Sequence, residues 1–209
     1  MTLREYLRHG LAKWLLAGLA LLPFAWLVAR IFLDQLGPNP AEHLIRSTGD
    51  WTLRFLCVTL AITPLRVLSG WPEWLRFRRS LGLLTFFYAF MHALCYSVLD
   101  MGLEWPEIAM DVLKRPFIAV GFAAAVLLSV LAATSFNGAV KAMGASRWRR
   151  LHQTVYAIAA LALLHFFWMR SGKKNFAEVM VYAAILGALL GWRVWHAARQ
   201  RRFKPGARP

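Results

Sequence analysis

Five long uncharged runs divide the chain: Trp14–Ala29, Leu81–Leu99, Pro116–Val140, Leu151–Met169 and Val179–Trp192. A helix rising 1.5 Å per residue needs about 20 residues to cross a hydrocarbon core of about 30 Å, so each run with its flanks predicts a spanning helix. A sixth is shorter, Phe55–Leu65 between Arg54 and Arg66. Both arginines can snorkel toward the interface, which extends this span to about Trp51–Leu68. The expected spans are 13–33, 51–68, 80–99, 116–135, 151–169 and 178–195. They predict an all-α integral membrane protein, a six-transmembrane-helix bundle forming a single domain over 1–209. No stretch remains for a soluble domain.

The connections are short, which makes consecutive helices antiparallel neighbours. Gly37-Pro-Asn-Pro40 and Ser69-Gly-Trp-Pro72 break the first two; Asp100–Arg115 is expected as a loop with an interfacial turn at Trp105-Pro106-Glu107, and Ser135–Ser146 as a further loop. Pro23 and Pro64 fall inside spans, where a missing amide can kink a helix. The first span has a basic start at Arg4, Arg8 and Lys13, but its apolar stretch exceeds a signal core and no small-x-small site follows it. It is expected as a retained helix.

The charge pattern orients the bundle. The formal net charge is +15. With both ends on one side, that side holds 17 of the 25 basic residues and two of the ten acids, Glu5 and Glu73. This positive-inside bias places both termini in the cytoplasm and the protein in the inner membrane. The tail from Arg199 to Lys204 is suited to anionic lipid headgroups. A charge distributed in this way excludes a nucleic-acid partner. Most tryptophans, among them Trp14, Trp51, Trp71, Trp105, Trp168 and Trp192, lie near span ends, as in an aromatic belt. Cys57 and Cys95 lie on different spans and read as small core residues.

Three histidines lie within these spans. Ionisable side chains at membrane depth are costly and usually face a partner inside the bundle. His92 stands 13 residues beyond Arg79, and His165 stands 13 residues beyond His152. Both intervals are about 20 Å along a helix, so His92 and His165 lie at a matching depth in the outer half. Imidazole is an axial ligand of haem iron, and bundles hold cofactors between facing helices. The pair predicts one bis-histidine b-type haem between the third and fifth spans. His152 is a candidate ligand of a second, inner haem, at the level of Arg78 and Arg79. Thirteen residues leave His152 and His165 off a common face of a straight helix, so the fifth span must be distorted or its histidines approach from different directions. Arg78 and Arg79 serve as topology anchors and as candidate partners of haem propionates; arginine, always protonated, is a poor iron ligand. His9, His43 and His196 fall outside the spans as ordinary surface residues.

The residues also resemble the MsrQ (YedZ) family, with its ferric reductase-like transmembrane domain. The resemblance covers nearly the whole chain. It rests on Leu22-Pro-Phe-Ala-Trp-Leu27, Ile62-Thr-Pro-Leu65, Arg78-Arg-Ser-Leu-Gly-Leu83 leading to His92, Arg115-Pro-Phe117, and Arg147-Trp-Arg-Arg-Leu-His152 followed by Val155-Tyr156. Larger relatives, akin to the membrane part of NADPH oxidases, carry four haem-ligating histidines, two per helix. Here three match, His92, His152 and His165, with arginine where the fourth would fall. The resemblance implies an electron-transfer subunit, distinct from the catalytic one. It would take electrons from the quinone pool, with FMN associated. It would pass them through haem to a periplasmic molybdopterin-containing MsrP-like reductase that repairs methionine sulfoxide in oxidised proteins.

Two other readings compete. A ferric reductase or cytochrome b561-like oxidoreductase uses the same haem geometry with another acceptor. A haem-free anchor or transporter belongs to a different class, against which the spans lack paired carboxylates and matched broken helices. The chain also lacks a Gly-rich dinucleotide fingerprint. Finally, Arg170, Lys173 and Lys174 form an external turn with no acid, expected to steer a negatively charged partner or simply to snorkel.

Overall fold

A computed structural model of the protein describes residues 3–172 and 176–202. Among them the chain is helical throughout. The elements are α1 (Leu3–Arg8), α2 (Leu11–Phe32), α3 (Pro40–Ser69), α4 (Leu75–Cys95), α5 (Trp105–Lys114), α6 (Pro116–Ala133), α7 (Asn137–Met143), α8 (Ala145–His152), α9 (Val155–Ser171) and α10 (Ala177–Arg202). A 3₁₀ turn, Pro72–Trp74, precedes α4, and a π turn, Tyr96–Asp100, follows it. Six helical segments are long and apolar enough to cross a membrane: Leu11–Phe32, Pro40–Ser69, Pro72–Asp100, Pro116–Ala133, Ala145–Ser171 and Ala177–Gln200. The protein is a multi-pass membrane protein. The even number of spans brings α1 and the C-terminal end of α10 to one end of the bundle, and α5 to the other.

Three elements differ from the sequence expectation. Helix α3 begins at Pro40, eleven residues before the expected start. Asn39 accepts from the Glu42 amide at 3.1 Å, and Pro40 supplies a preset first turn. The expected span began at Trp51, just before the snorkelling Arg54, whereas the helix also carries Glu42, Arg46 and Asp50. Within Asp100–Arg115, ten residues form α5 rather than an interfacial turn. Its Trp105, Pro106, Ala109, Met110 and Leu113 share an exposed apolar arc, while Glu107 and Lys114 lie on another. The expected loop Ser135–Ser146 likewise contains α7.

Packing concentrates on α3 with α4 and on α6 with α9. One buried cluster joins α3, α6, α9 and α10 through Leu56, Leu60, Leu128, Ile158, Phe166 and Leu186. A second joins α1, α2, α3 and α4 through Leu7, Ala20, Phe55, Leu81 and Tyr88. Helix α3 belongs to both and so ties the first span to the rest. Tyr88 is fully buried. Its hydroxyl donates to the Ala20 carbonyl at 2.7 Å and accepts from the Phe24 amide at 3.2 Å, entering the α2 ladder beside Pro23. Much of α2 remains exposed, including Trp14, Leu19, Leu22, Trp26 and Phe32. That is the surface of a helix facing lipid.

Candidate functional site: a facing histidine pair

Helices α4 and α9 bring His92 and His165 together. Their ring centroids are 6.1 Å apart and the planes are inclined by 76°. Each ring is held from behind by a backbone carbonyl. His92 Nδ1 donates to Ile45 O of α3 at 2.8 Å, and His165 Nδ1 donates to Phe117 O of α6 at 2.6 Å. A carbonyl only accepts, so both Nδ1 atoms carry the proton and both Nε2 atoms keep a lone pair. A carbonyl behind the ring is the usual outer partner of a metal-ligating histidine. Two imidazoles sharing one ion at about 2.0–2.1 Å per bond place their centroids roughly 6 Å apart. The pair fits a common axial ion.

Two glycines make room for the rings. A Cβ on Gly49 would fall 3.1 Å from His92, and one on Gly121 would fall 2.7 Å from Nδ1 of His165. Both glycines lie one helical turn from the carbonyl that holds the same ring, Gly49 from Ile45 and Gly121 from Phe117. Neither is apparent as a site residue in the sequence, where Gly121 sits in an apolar run and Gly49 between Thr48 and Asp50. The signal available was the combination of a glycine and a buried histidine expected at one depth.

His152 lies elsewhere. It ends α8, and Gln153 and Thr154 form a turn before α9 begins at Val155. The turn interrupts the fifth span between its two histidines. The His152 ring stacks on Trp148 at 4.0 Å. Its Nε2 lies 3.1 Å from the Thr134 hydroxyl, which also donates to Val130 O at 2.7 Å. His152 Nε2 therefore donates, and Nδ1 carries the lone pair. His152, Arg78, Arg79 and Arg193 line one cavity of ≈ 190 Å³, floored by Leu56, Leu128 and Leu131. No carboxylate lines it. Arg79 donates to Asn137 Oδ1 of α7 at 2.8 Å.

Arg193, near the end of the expected span 178–195, reaches back into the bundle, donating to Tyr156 Oη at 3.0 Å and to Leu60 O at 2.5 Å. Arg170 also departs from expectation. It is 13% exposed, paired with Glu178 and lies 5.3 Å above the Phe166 ring, so it is not a free steering charge. Lys173 and Lys174 lie outside the described residues, as does the tail beyond Arg202. His43, expected on the surface, is half-buried in α3 and accepts from Arg30 at 3.0 Å. Cys57 and Cys95 are free thiols.

Comparison with known proteins shows the family. The family described as "Ferric reductase like transmembrane component" matches residues 48–163, which include His92 and His152 and end two residues before His165. A protein of Polaromonas naphthalenivorans (strain CJ2) is 61% identical over 95% of this chain and 91% of its own length. One of Ralstonia nicotianae is 50% identical over 95% and 92%, and one of Xanthomonas oryzae pv. oryzae is 45% identical over 92% and 90%. Each is named "Protein-methionine-sulfoxide reductase heme-binding subunit MsrQ". No solved structure matches the chain. By family match and by identity along its length, the chain belongs to the MsrQ family of ferric reductase-like transmembrane proteins.

Proposed function

We propose that this chain is the haem-carrying, electron-transferring membrane subunit of a methionine sulfoxide reductase system. The observation that carries the reading is the His92–His165 pair, with 6.1 Å between centroids and each Nδ1 spent on a carbonyl. Among the described residues no group of three or more His, Cys, Asp or Glu gathers around an ion. Two axial imidazoles leave the equatorial ligands to a porphyrin. Haem b bound there supplies a one-electron carrier whose potential follows its ligands and surroundings.

The electron path of this reading rests on the family resemblance and on the charge pattern. The donor is the quinone pool, with FMN as the associated flavin, and the acceptor is a periplasmic molybdopterin-containing MsrP-like subunit. Both termini are cytoplasmic in the inner membrane, where positive-inside bias puts the basic end and its contacts with anionic lipids. The His92–His165 pair then lies toward the periplasmic half, on the acceptor's side. A second haem on His152 is suggested by the place of that ring beside Arg78 and Arg79, whose guanidiniums would be available to propionates. There Nε2 would exchange the Thr134 hydroxyl for iron.

A reduced-minus-oxidised visible spectrum of the purified protein, with a pyridine-haemochrome count, tests the reading. Wild type should give a b-type band. His92→Ala and His165→Ala should each abolish the outer haem, and His152→Ala should affect only an inner one. Full haem content in both outer variants refutes the assignment.

A further inference from the structure

The joint between α5 and α6 carries Arg115-Pro-Phe117, a stretch to which the electron path gives no task. Arg115 donates through Nε and Nη2 to the two carboxylate oxygens of Asp111, and the Tyr96 hydroxyl donates to Asp111 Oδ2. Tyr96 opens the π turn four residues after His92. Such turns interrupt the ordinary ladder and recur at functional sites. On the other side, the Arg115 guanidinium lies 5.7 Å above the Phe117 ring. That ring is 6.0 Å from the His165 ring, and the Phe117 carbonyl receives the His165 Nδ1 proton. A connected set of contacts thus runs from the turn after His92, through Asp111, to the carbonyl that orients His165.

The intervening chain needs such a tie. Leu103 has φ 62, a left-handed conformation that a branched side chain avoids, and its amide donates to Ser97 O at 2.7 Å. Strained backbone of this kind persists only where the surroundings over-determine it. The Tyr96–Asp111 bond spans this turn.

We propose that Asp111 is a positioning residue for the His92–His165 pair: it ties the turn after His92 to the helix start whose carbonyl holds His165. The proposal rests on the haem reading above. Asp111 does not touch the rings. Its carboxylate fixes Tyr96 and Arg115, and through Arg115 it sets where α6 begins.

The test uses purified holoprotein in detergent, with low-spin electron paramagnetic resonance and haem transfer to apomyoglobin as readouts. Asp111→Ala should displace the low-spin signal of the outer haem, because the ring planes move. It should also speed haem transfer, by less than the roughly 10–100-fold that loss of a direct outer partner of a ligating histidine brings, because Asp111 acts through Arg115 and Phe117. Tyr96→Phe removes one hydroxyl and should displace the signal in the same direction by less, and it decides the matter if Asp111→Ala fails to accumulate. A merely loop-closing role would lower thermal stability while leaving the low-spin signal and transfer rate of both variants at wild-type values, and that result overturns the proposal. A wild-type protein with no b-type signal would instead defeat the haem reading itself.

Discussion

Gly121 lies directly behind His165, so close that a Cβ on it would fall 2.7 Å from Nδ1 and 2.8 Å from Cε1 of the ring. The ring cannot move away freely, because its Nδ1 is bonded to the Phe117 carbonyl one turn earlier on the same helix. Gly121→Ala should therefore push the imidazole off its axis, at about 1–3 kcal/mol of overpacking. The expected outcome is a weakened or altered b-type spectrum in protein that still inserts. Gly49→Ala, where the approach to His92 is 3.1 Å, should act in the same sense and less strongly. A wild-type spectrum in Gly121→Ala would show that the ring has a second place to sit.

Tyr88→Phe should loosen the first span. The hydroxyl serves both Ala20 O and Phe24 N, and polar contacts between membrane helices average about 0.6 kcal/mol with a maximum of about 1.7. A loss within that range is expected in thermal unfolding of the solubilised protein, without change in haem content.

The Asp111 carboxyl is held below its ordinary value of 3.8, first by the Arg115 hydrogen bonds and also by the Tyr96 hydroxyl. A depressed carboxylate contributes stability that is present above the unfolded value and is lost as pH falls through the folded one. Acidification below 3.8 should thus release the α5–α6 joint, and Asp111→Asn should remove that component of the acid transition. Thermal midpoints measured across the acid range compare the two proteins.

Arg170→Gln should act on stability more than on docking. Its guanidinium is paired with Glu178 and stacked on Phe166, so the substitution breaks an internal tie between α9 and α10. Electron delivery to a periplasmic partner should keep its dependence on ionic strength, as measured by haem reoxidation at low and high salt. A flattened dependence would restore Arg170 as a steering charge.

Reporter fusions test the orientation. A fusion at the C-terminus should report cytoplasm, and one within α5 should report periplasm. The opposite pair of results would invert the electron path.

Uncharged runs made the spans legible because lipid imposes one requirement along their whole length. Their ends were less legible. Glu42, Arg46 and Asp50 fall outside the uncharged run, yet α3 carries them, because Asn39 and Pro40 start that helix early. The depth of His92 and His165 could be counted from the sequence, since rise per residue is fixed. The carbonyls behind them could not, because Ile45 and Phe117 contribute backbone atoms that any residue would offer. The contacts of Arg193 were hidden for a related reason. A cation at a span end satisfies the topology rule whether it points out to water or back to Tyr156 and Leu60.

The turn at Gln153 and Thr154 separates two rotational frames within one membrane crossing. Were α8 and α9 continuous, the direction of His152 would be locked to that of His165 at about 100° per residue, and no substitution could turn one without the other. With a joint between them, α8 sets its own phase against α6 and α7 while α9 keeps His165 on its carbonyl. The crossing is thus two short helices coupled in series, with His152 held by Thr134 and Trp148 and His165 by Phe117.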